Sequence, residues 1–165
     1  MRIVVDPSGI VRWRGRRARC ALGRGGIRGD KREGDGATPA GTFALRSVLY
    51  RADRLARPAT RLPVEMIGPR DGWCDDPSHP HYNRRVRLPF TASHERLWRR
   101  DRLYNLVVVV GHNDSPPRPG LGSAIFIHVA SPRYSPTAGC IALARADLLR
   151  LLGDCDRRSK ILIRP

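Results

Sequence analysis

Lysine, aromatic residues and long apolar runs are all scarce in this 165-residue chain. Only Lys31 and Lys160 are lysine, so nearly all of the 31 basic residues are arginine, and aromatic residues make up 6%. No apolar run approaches the roughly 18 residues of a membrane-spanning helix, which argues against an integral helical membrane protein. The 16 glycines and 14 prolines show no period, which indicates many turns and short strands rather than a coiled coil.

The four cysteines, Cys20, Cys74, Cys140 and Cys155, include no closely spaced pair. A disulfide framework is therefore not expected. A chain of this length buries about 70% of its unfolded surface, so it needs neither a disulfide nor a structural metal for stability. We expect one domain over residues 1–165.

The start of the chain has no apolar segment of about 7–15 residues followed by a small-residue cleavage site. This pattern leaves three interpretations open: a cytosolic protein, export by another route, or a leader that has been removed.

Positive charge is in large excess, because 31 basic residues stand against 15 acidic ones and give a formal net charge of +16. Such a chain attracts anions, which include nucleic acid, anionic lipid and acidic cell-wall polymers. The arginines are scattered from Arg2 to Arg164, so a generally solvated surface explains them equally well. No helix-turn-helix, zinc-finger or aromatic RNA-binding pattern supports a nucleic-acid partner.

The apolar pattern predicts a mainly β protein. Residues 107–110 and 124–130 are apolar without polar alternation, which is typical of strands buried on both faces. Further strands are predicted at 3–5, 10–13, 17–22, 42–50, 62–67 and 161–163. Helices are predicted at 93–100, after a Thr91 or Ser93 cap, and at 145–152, before Gly153. Three segments without a pattern are expected to be loops: 23–40, 68–92 and 111–123.

A histidine and a cysteine stand where nucleophilic catalysis needs them. His128 follows the apolar residues 124–127, and Cys140 follows Gly139 twelve residues later. Cysteine is a strong nucleophile once a neighbouring imidazole removes its proton, and a glycine before it leaves backbone N–H groups free for an oxyanion. On spacing alone, a buried thiol and a core histidine are the commoner explanation.

The local sequence resembles the L,D-transpeptidase catalytic domain, or YkuD-like, family. That family's signature is a strand histidine, a spacer and Ser/Thr-His-Gly-Cys, to which Ile127-His128 and Thr137-Ala138-Gly139-Cys140 are similar. Residues 34–43 resemble the family's Thr-Pro-x-Gly turn, about 100 residues upstream. The resemblance implies a YkuD-like β-sandwich of mixed sheets with a few short helices.

The resemblance also implies a cysteine acyltransferase that acts on peptidoglycan stem peptides without a cofactor or metal. Cys140 is the implied nucleophile and His128 its base, with the Val129 carbonyl orienting the imidazole. The oxyanion is expected at the N–H groups around Gly139 and Cys140, beside Ala138. An amine of a second stem would release the thioester.

Two positions depart from the family pattern. Ala138 stands where members have His, and Ala142 where members have Arg or Asn; Arg133 and Arg145 are candidate replacements. The proline-rich loop 115–120 and the segment 73–77 resemble a proteobacterial branch proposed to make 1,3-crosslinks, from L-Ala to diaminopimelate. We expect the prolines to form a stiff wall beside the cysteine.

Further substrate contacts are expected from residues around the two motifs and the long loops. Asp75, with Asp76, would hold ammonium or amide groups, and Trp73 and Tyr82 would stack on sugar rings or anchor their loop. His112 would either lie in the site or cap its loop. A zinc site at Cys74, His79 and His81 is disfavoured, because the spacing matches no known finger. The expected substrate-binding residues are Trp73, Asp75, Tyr82, His112, Arg133, Tyr134 and Thr137.

The resemblance places the protein in the periplasm or cell envelope, as a monomer acting on stem peptides and glycan strands. A peptidoglycan L,D-peptidase with the same cysteine, an ordinary 3,3-transpeptidase and an inactive binding module are the alternatives. The peptidase shares the thioester with the transferase, so the sequence does not separate these two.

Overall fold

Fourteen strands and one helix make up the regular structure, described over residues 1–165 by a computed structural model. The elements are β1 (Arg2–Asp6), β2 (Ile10–Trp13), β3 (Arg16–Ala21), β4 (Ile27–Arg28), β5 (Thr38–Pro39), β6 (Gly41–Tyr50), β7 (Val64–Met66), β8 (Asp71–Cys74), β9 (Arg85–Arg87), β10 (His94–Arg96), β11 (Leu106–Val110), β12 (Phe126–Val129), β13 (Ile141–Leu143), α1 (Arg145–Asp154) and β14 (Lys160–Ile163). The prediction of a mainly β protein is confirmed.

Nine strands form one mixed sheet in the order β11-β12-β13-β3-β2-β1-β14-β6-β7, and a further pairing of β11 with β6 closes it into a ring. The pairs β1–β14, β12–β13 and β6–β7 are parallel, and the other pairs of this sheet are antiparallel. Strand β6 is ten residues long and pairs with two strands: residues 41–44 pair with β14, and residues 45–50 pair with β11. Strand β6 therefore joins the strands around β14 to those around β11, and these two groups of strands face each other as a sandwich with mixed sheets.

The strands next to the site are buried on both faces. On β11, Leu106, Val108 and Val110 belong to the main core, whereas Val107 and Val109 belong to a second, smaller core on the opposite face. Every residue of β11 and β12 is buried. This explains the uninterrupted apolar runs in the sequence, because neither face of these strands meets solvent.

The segment 68–92 is not the plain loop that the sequence suggested. Strand β8 is the centre of a three-stranded antiparallel sheet, with β9 on one side and β10 on the other. Its residue Trp73 packs edge-on against Phe126 of β12, with ring centroids 5.1 Å apart. The small sheet therefore covers the second core.

The predicted helix at 93–100 is wrong, because residues 94–96 form β10 and pair with β8. An isolated eight-residue helix is marginal in water, and this segment has little apolar stripe to pack. Pairing with β8 and burial of Leu97, which is 0% exposed, outweigh local helix propensity.

The second predicted helix is confirmed as α1, which buries Leu148, Leu151 and Leu152 against the main core. It ends two residues later than predicted, so Gly153 lies inside the helix and Cys155 is the C-cap. No helix of the chain is long and apolar enough to cross a membrane.

Candidate functional site

His128 and Cys140 lie on neighbouring parallel strands with their side chains on the same face. His128 of β12 is directly opposite Ala142 of β13, and Cys140 is two residues before Ala142. Because side chains alternate along a strand, Cys140 shares the face of Ala142 and hence that of His128. The chain crosses from β12 back to β13 through a turn at residues 130–140, which brings two residues twelve apart in sequence onto one surface.

The imidazole of His128 is fixed in one tautomer. Its Nδ1 lies 2.9 Å from the Val129 carbonyl oxygen, and because a carbonyl only accepts, Nδ1 carries the proton. The other nitrogen, Nε2, then holds a lone pair in the neutral form. The Tyr104 ring meets the imidazole edge-on at 5.2 Å. Burial lowers the pKa of His128, so the ring is neutral at neutral pH.

The thiol of Cys140 is protonated at rest. Burial raises the pKa of Cys140 to about 12. The thiol donates a hydrogen bond to the Ala124 carbonyl at 3.2 Å, and Sγ accepts from the Phe126 N–H at 3.4 Å. The site therefore holds a neutral thiol and a neutral imidazole rather than a resting ion pair.

Thr137 braces the turn that carries the thiol. Its hydroxyl donates to the Cys140 carbonyl at 2.6 Å and accepts from the Gly139 N–H at 3.1 Å. The Gly139 N–H is therefore not available to bind an oxyanion. The N–H groups of Ala138 and Cys140 donate no hydrogen bond within the chain, so these two are free for an oxyanion.

The two sequence motifs meet at this turn. Gly139 has φ +136°, and a Cβ there would lie 2.8 Å from the Ala37 carbonyl oxygen. Thr137 also exchanges backbone hydrogen bonds with residues beside Gly23, and the Gly23 N–H donates to Thr38 Oγ1 at 2.9 Å. The glycine before the cysteine is thus required by close contact with the upstream Thr-Pro turn, about 100 residues away.

Both reactive groups open into one cleft of about 420 Å³. Its lining residues are Arg24, Glu33, Gly34, Gly36, Asp75, Glu95, Arg99, Leu103, Tyr104, Ser123, Ala124, His128, Ser131, Ser135, Pro136, Thr137, Ala138, Cys140 and Ala142. Of the expected site residues, the cleft includes Asp75, Thr137 and Ala138 beside the reactive pair.

Sequence reasoning missed Glu95, Arg99 and Tyr104. The Tyr104 hydroxyl donates to Glu95, and the Arg99 guanidinium lies 5.0 Å from the Tyr104 ring centre. Burial raises the pKa of Glu95. Periodicity carried no signal for Glu95, because it reaches the cleft through the pairing of β10 with β8.

Trp73 and Tyr82 are loop anchors, not sugar platforms. Trp73 is 9% exposed and donates from its indole nitrogen to the Asn83 side chain at 2.9 Å. Tyr82 is 3% exposed and donates to Glu33. Neither ring lines the cleft, so neither presents a face on which a sugar can stack.

His112 and the proline-rich loop also lie away from the cleft. The Nε2 of His112 bonds the Leu121 carbonyl at 2.9 Å, which closes the loop and matches the capping alternative. Pro117 and Pro119 line a separate surface recess with residues 77–80, 82 and 84. The expected proline wall beside the cysteine is not present; only Ser123, where the loop ends, reaches the cleft.

The arginines expected to replace the missing residue at Ala142 are elsewhere. Arg133 is exposed and outside the cleft, and Tyr134 stacks under the Arg19 guanidinium at 4.4 Å. Arg145 lines a neighbouring groove with Tyr134. The cleft contains instead Arg24 and Arg99. No group of three His, Cys, Asp or Glu side chains is arranged to hold a metal ion, and all four cysteines are free.

Comparisons with known proteins give the family. A search among curated proteins found no match. A solved structure, an L,D-transpeptidase from Mycobacterium smegmatis, is similar at 15% sequence identity with a TM-score of 0.46; the likeness covers 99% of this chain and 58% of that one. The chain thus spans less than two thirds of that protein's length. The family model described as the L,D-transpeptidase catalytic domain, YkuD, matches residues 1–163. The chain therefore belongs to the L,D-transpeptidase catalytic domain family.

Proposed function

We propose that this domain is a peptidoglycan L,D-transpeptidase that works through a thioester on Cys140. The observation that carries the proposal is the shared face of Cys140 and His128, which open into one cleft with the imidazole tautomer fixed by Val129. Membership of the family supports the reaction class. The proposed site of action is the cell envelope, and a single chain supplies every group the mechanism uses.

The first half-reaction forms the thioester. Sγ of Cys140 attacks the donor peptide carbonyl while Nε2 of His128 takes the thiol proton, which requires the neutral imidazole. The developing oxyanion is held by the free N–H groups of Ala138 and Cys140. The imidazolium then gives its proton to the departing amine, the C–N bond breaks, and the thioester remains.

The second half-reaction transfers the acyl group. An acceptor amine attacks the thioester carbonyl, a new C–N bond forms, and the C–S bond breaks. His128 carries the proton from the amine nitrogen to the leaving sulfur, which restores the resting thiol. Water in place of the amine gives hydrolysis, so the L,D-peptidase remains the second candidate.

The bond chosen in the donor is part of the proposal. Ala142 stands opposite His128 and lines the cleft, where family members have Arg or Asn. This departure favours a different donor bond, at the L-residue in stem position one, and hence 1,3-crosslinks. An ordinary 3,3-transpeptidase is the alternative.

Incubation of the purified protein with peptidoglycan sacculi, followed by mass spectrometry of the released muropeptides, tests the proposal. We expect new dimers linked from L-Ala to diaminopimelate, and none with Cys140→Ala. The control Cys20→Ala alters another buried cysteine outside the cleft and should keep activity. Dimers of 3,3 type would overturn the subtype, cleaved monomers alone would favour the peptidase, and unchanged muropeptides would refute both.

A further inference from the structure

Unpaired acidic residues are concentrated in the catalytic cleft. In a chain with 31 basic and 15 acidic residues, most carboxylates have a basic partner within 4 Å. Five have none: Glu33, Asp75, Asp76, Glu95 and Asp156. Asp76 and Asp156 each accept a hydrogen bond from a neighbouring Ser hydroxyl in a local turn. The other three line the cleft that contains Cys140.

Each of these three carboxylates keeps an oxygen free. Glu95 accepts from the Tyr104 hydroxyl through Oε1, and Glu33 accepts from the Tyr82 hydroxyl through Oε2. Asp75 Oδ1 is buried and has no hydrogen-bond partner. The second oxygens of Glu33 and Glu95 accept nothing from the chain.

A second, independent feature marks the same place. The Ser123 hydroxyl is buried, has no hydrogen-bond partner and lines the cleft, and the residue is 8% exposed. A buried polar atom without a partner costs free energy unless a ligand or water satisfies it. Ser123 and Asp75 therefore indicate an occupant that donates hydrogen bonds.

The charge of that occupant follows from the lining. Two arginines, Arg24 and Arg99, line the same cleft, but neither lies within 4 Å of the three carboxylates, and Arg99 is bound by Asp101. Carboxylates that share a cavity repel one another: burial and the charges of Asp75 and Glu33 raise the pKa of Glu95, against the opposing effect of the Tyr104 hydrogen bond and the Arg99 charge. A ligand with a positive charge and several N–H donors relieves both the repulsion and the missing hydrogen bonds.

We propose that the recess formed by Glu33, Asp75, Glu95 and Ser123 binds the ammonium group of the acceptor, a primary alkylamine, beside the Cys140 thioester. This inference rests on the proposed function. A primary ammonium offers three N–H donors and one positive charge, which is what the recess lacks.

The same recess prepares the amine for attack. An ammonium has no lone pair, so it must lose one proton before it attacks the thioester. Glu95 takes that proton and becomes neutral, a change made easier because burial already raises its pKa. The amine then forms the C–N bond as the C–S bond breaks, its second proton passes through His128 to sulfur, and Glu95 later releases its proton to solvent.

The test separates acylation from transfer. The donor is a stem tetrapeptide whose side-chain amine is acetylated, so that it cannot act as acceptor, and thioester formation is followed by intact-protein mass spectrometry. Two acceptors then compete with water: a stem peptide with a free diaminopimelate amine, which is cationic, and hydroxylamine, which is uncharged at neutral pH. The variants are Glu95→Gln and Glu33→Gln, and Asp156→Asn is the control, an unpaired acid outside the cleft.

We expect wild type and all variants to form the thioester. In Glu95→Gln the KM for the cationic acceptor should rise at least about tenfold, the loss of one charge-assisted hydrogen bond, while release by hydroxylamine stays within about twofold. Asp156→Asn should match wild type. An unchanged KM in both Gln variants overturns the inference while leaving the proposed function intact. No thioester on wild type overturns the proposed function itself. If Glu95→Gln does not fold, Glu33→Gln decides by the same criterion.

Discussion

The resting state of Cys140 makes a quantitative prediction about its reactivity. Burial raises its pKa from 9.0 to about 12. At pH 7 the thiolate fraction is then about one in 10⁵, roughly a thousandth of that of a thiol with the unshifted pKa. Because the thiolate is the species that iodoacetamide alkylates, the free enzyme should react at least about a thousandfold more slowly than such a thiol.

The pH dependence distinguishes this neutral pair from a preformed thiolate and imidazolium. We expect the alkylation rate to rise about tenfold per pH unit from pH 7 to 10 without a plateau, and His128→Ala to leave this profile unchanged, because the thiol donates to Ala124 at rest. Donor-dependent acylation should behave differently. It should fall by at least about 100-fold in His128→Ala, the usual value of a positioned base.

The measurement is alkylation followed by peptide mapping, which separates Cys140 from Cys20 and Cys155, whose pKa values burial also raises to about 12. In wild type, acylation should decline only as the pH falls below 6.5, through the lowered pKa of His128. A plateau of alkylation near neutral pH that disappears in His128→Ala would refute the reasoning, since it would require an ion pair in the free enzyme.

Three further predictions concern the framework of the site. Asp35→Asn leaves Lys31, only 7% exposed, without its ion-pair partner, and should lower the free energy of unfolding by about 3–5 kcal/mol in urea titration. Asp30→Asn, which removes an exposed ion pair with Arg28, should leave the free energy of unfolding nearly unchanged, and equal losses in the two variants would contradict the prediction. Gly139→Ala introduces a Cβ 2.8 Å from a backbone oxygen at φ +136°. Acylation by the stem-peptide donor should therefore become undetectable, while circular dichroism still shows a folded β protein. Acylation at the wild-type rate would mean that the backbone of the turn shifts to accept the Cβ without displacing Cys140. Trp73→Ala should lower the free energy of unfolding by about 3–5 kcal/mol. It should not change how the KM depends on the length of the glycan strands in the substrate, and a selective loss of activity toward long strands would restore a sugar-binding role.

Local sequence was sufficient to predict those strands and helices whose side-chain pattern does not depend on which segment packs against them. The β-branched run 107–110 is predicted as a strand buried on both faces, and it is one. The apolar run 124–130 is predicted in the same way, and its residues 126–129 form the fully buried β12. The leucine stripe of α1 likewise repeats with helical spacing, and it packs on the core. In each case the side-chain period itself records which faces are buried.

The reactive pair was also visible in the sequence, through the residue types around His128 and Cys140 and the Thr-Pro turn upstream. The sequence did not show why these motifs must occur together. Only the fold brings the Ala37 carbonyl to 2.8 Å from where a Cβ of Gly139 would lie, because that contact joins segments about 100 residues apart.

The rest of the site was decided by tertiary pairing. Residues 94–96 have a weak local preference, so β8 determines their conformation, and with it the position of Glu95 opposite Trp73. The burial of Trp73 and Tyr82, and the distance of the proline-rich loop from the cysteine, depend in the same way on which distant segment packs against them. The periodicity of apolar residues predicts which face of a single strand or helix is buried, whereas a cleft is lined by residues from several strands and loops. For this protein the sequence therefore determined the mainly β fold and pointed to His128 and Cys140 as the proposed reactive pair, and only the tertiary structure assembled the acidic recess around them.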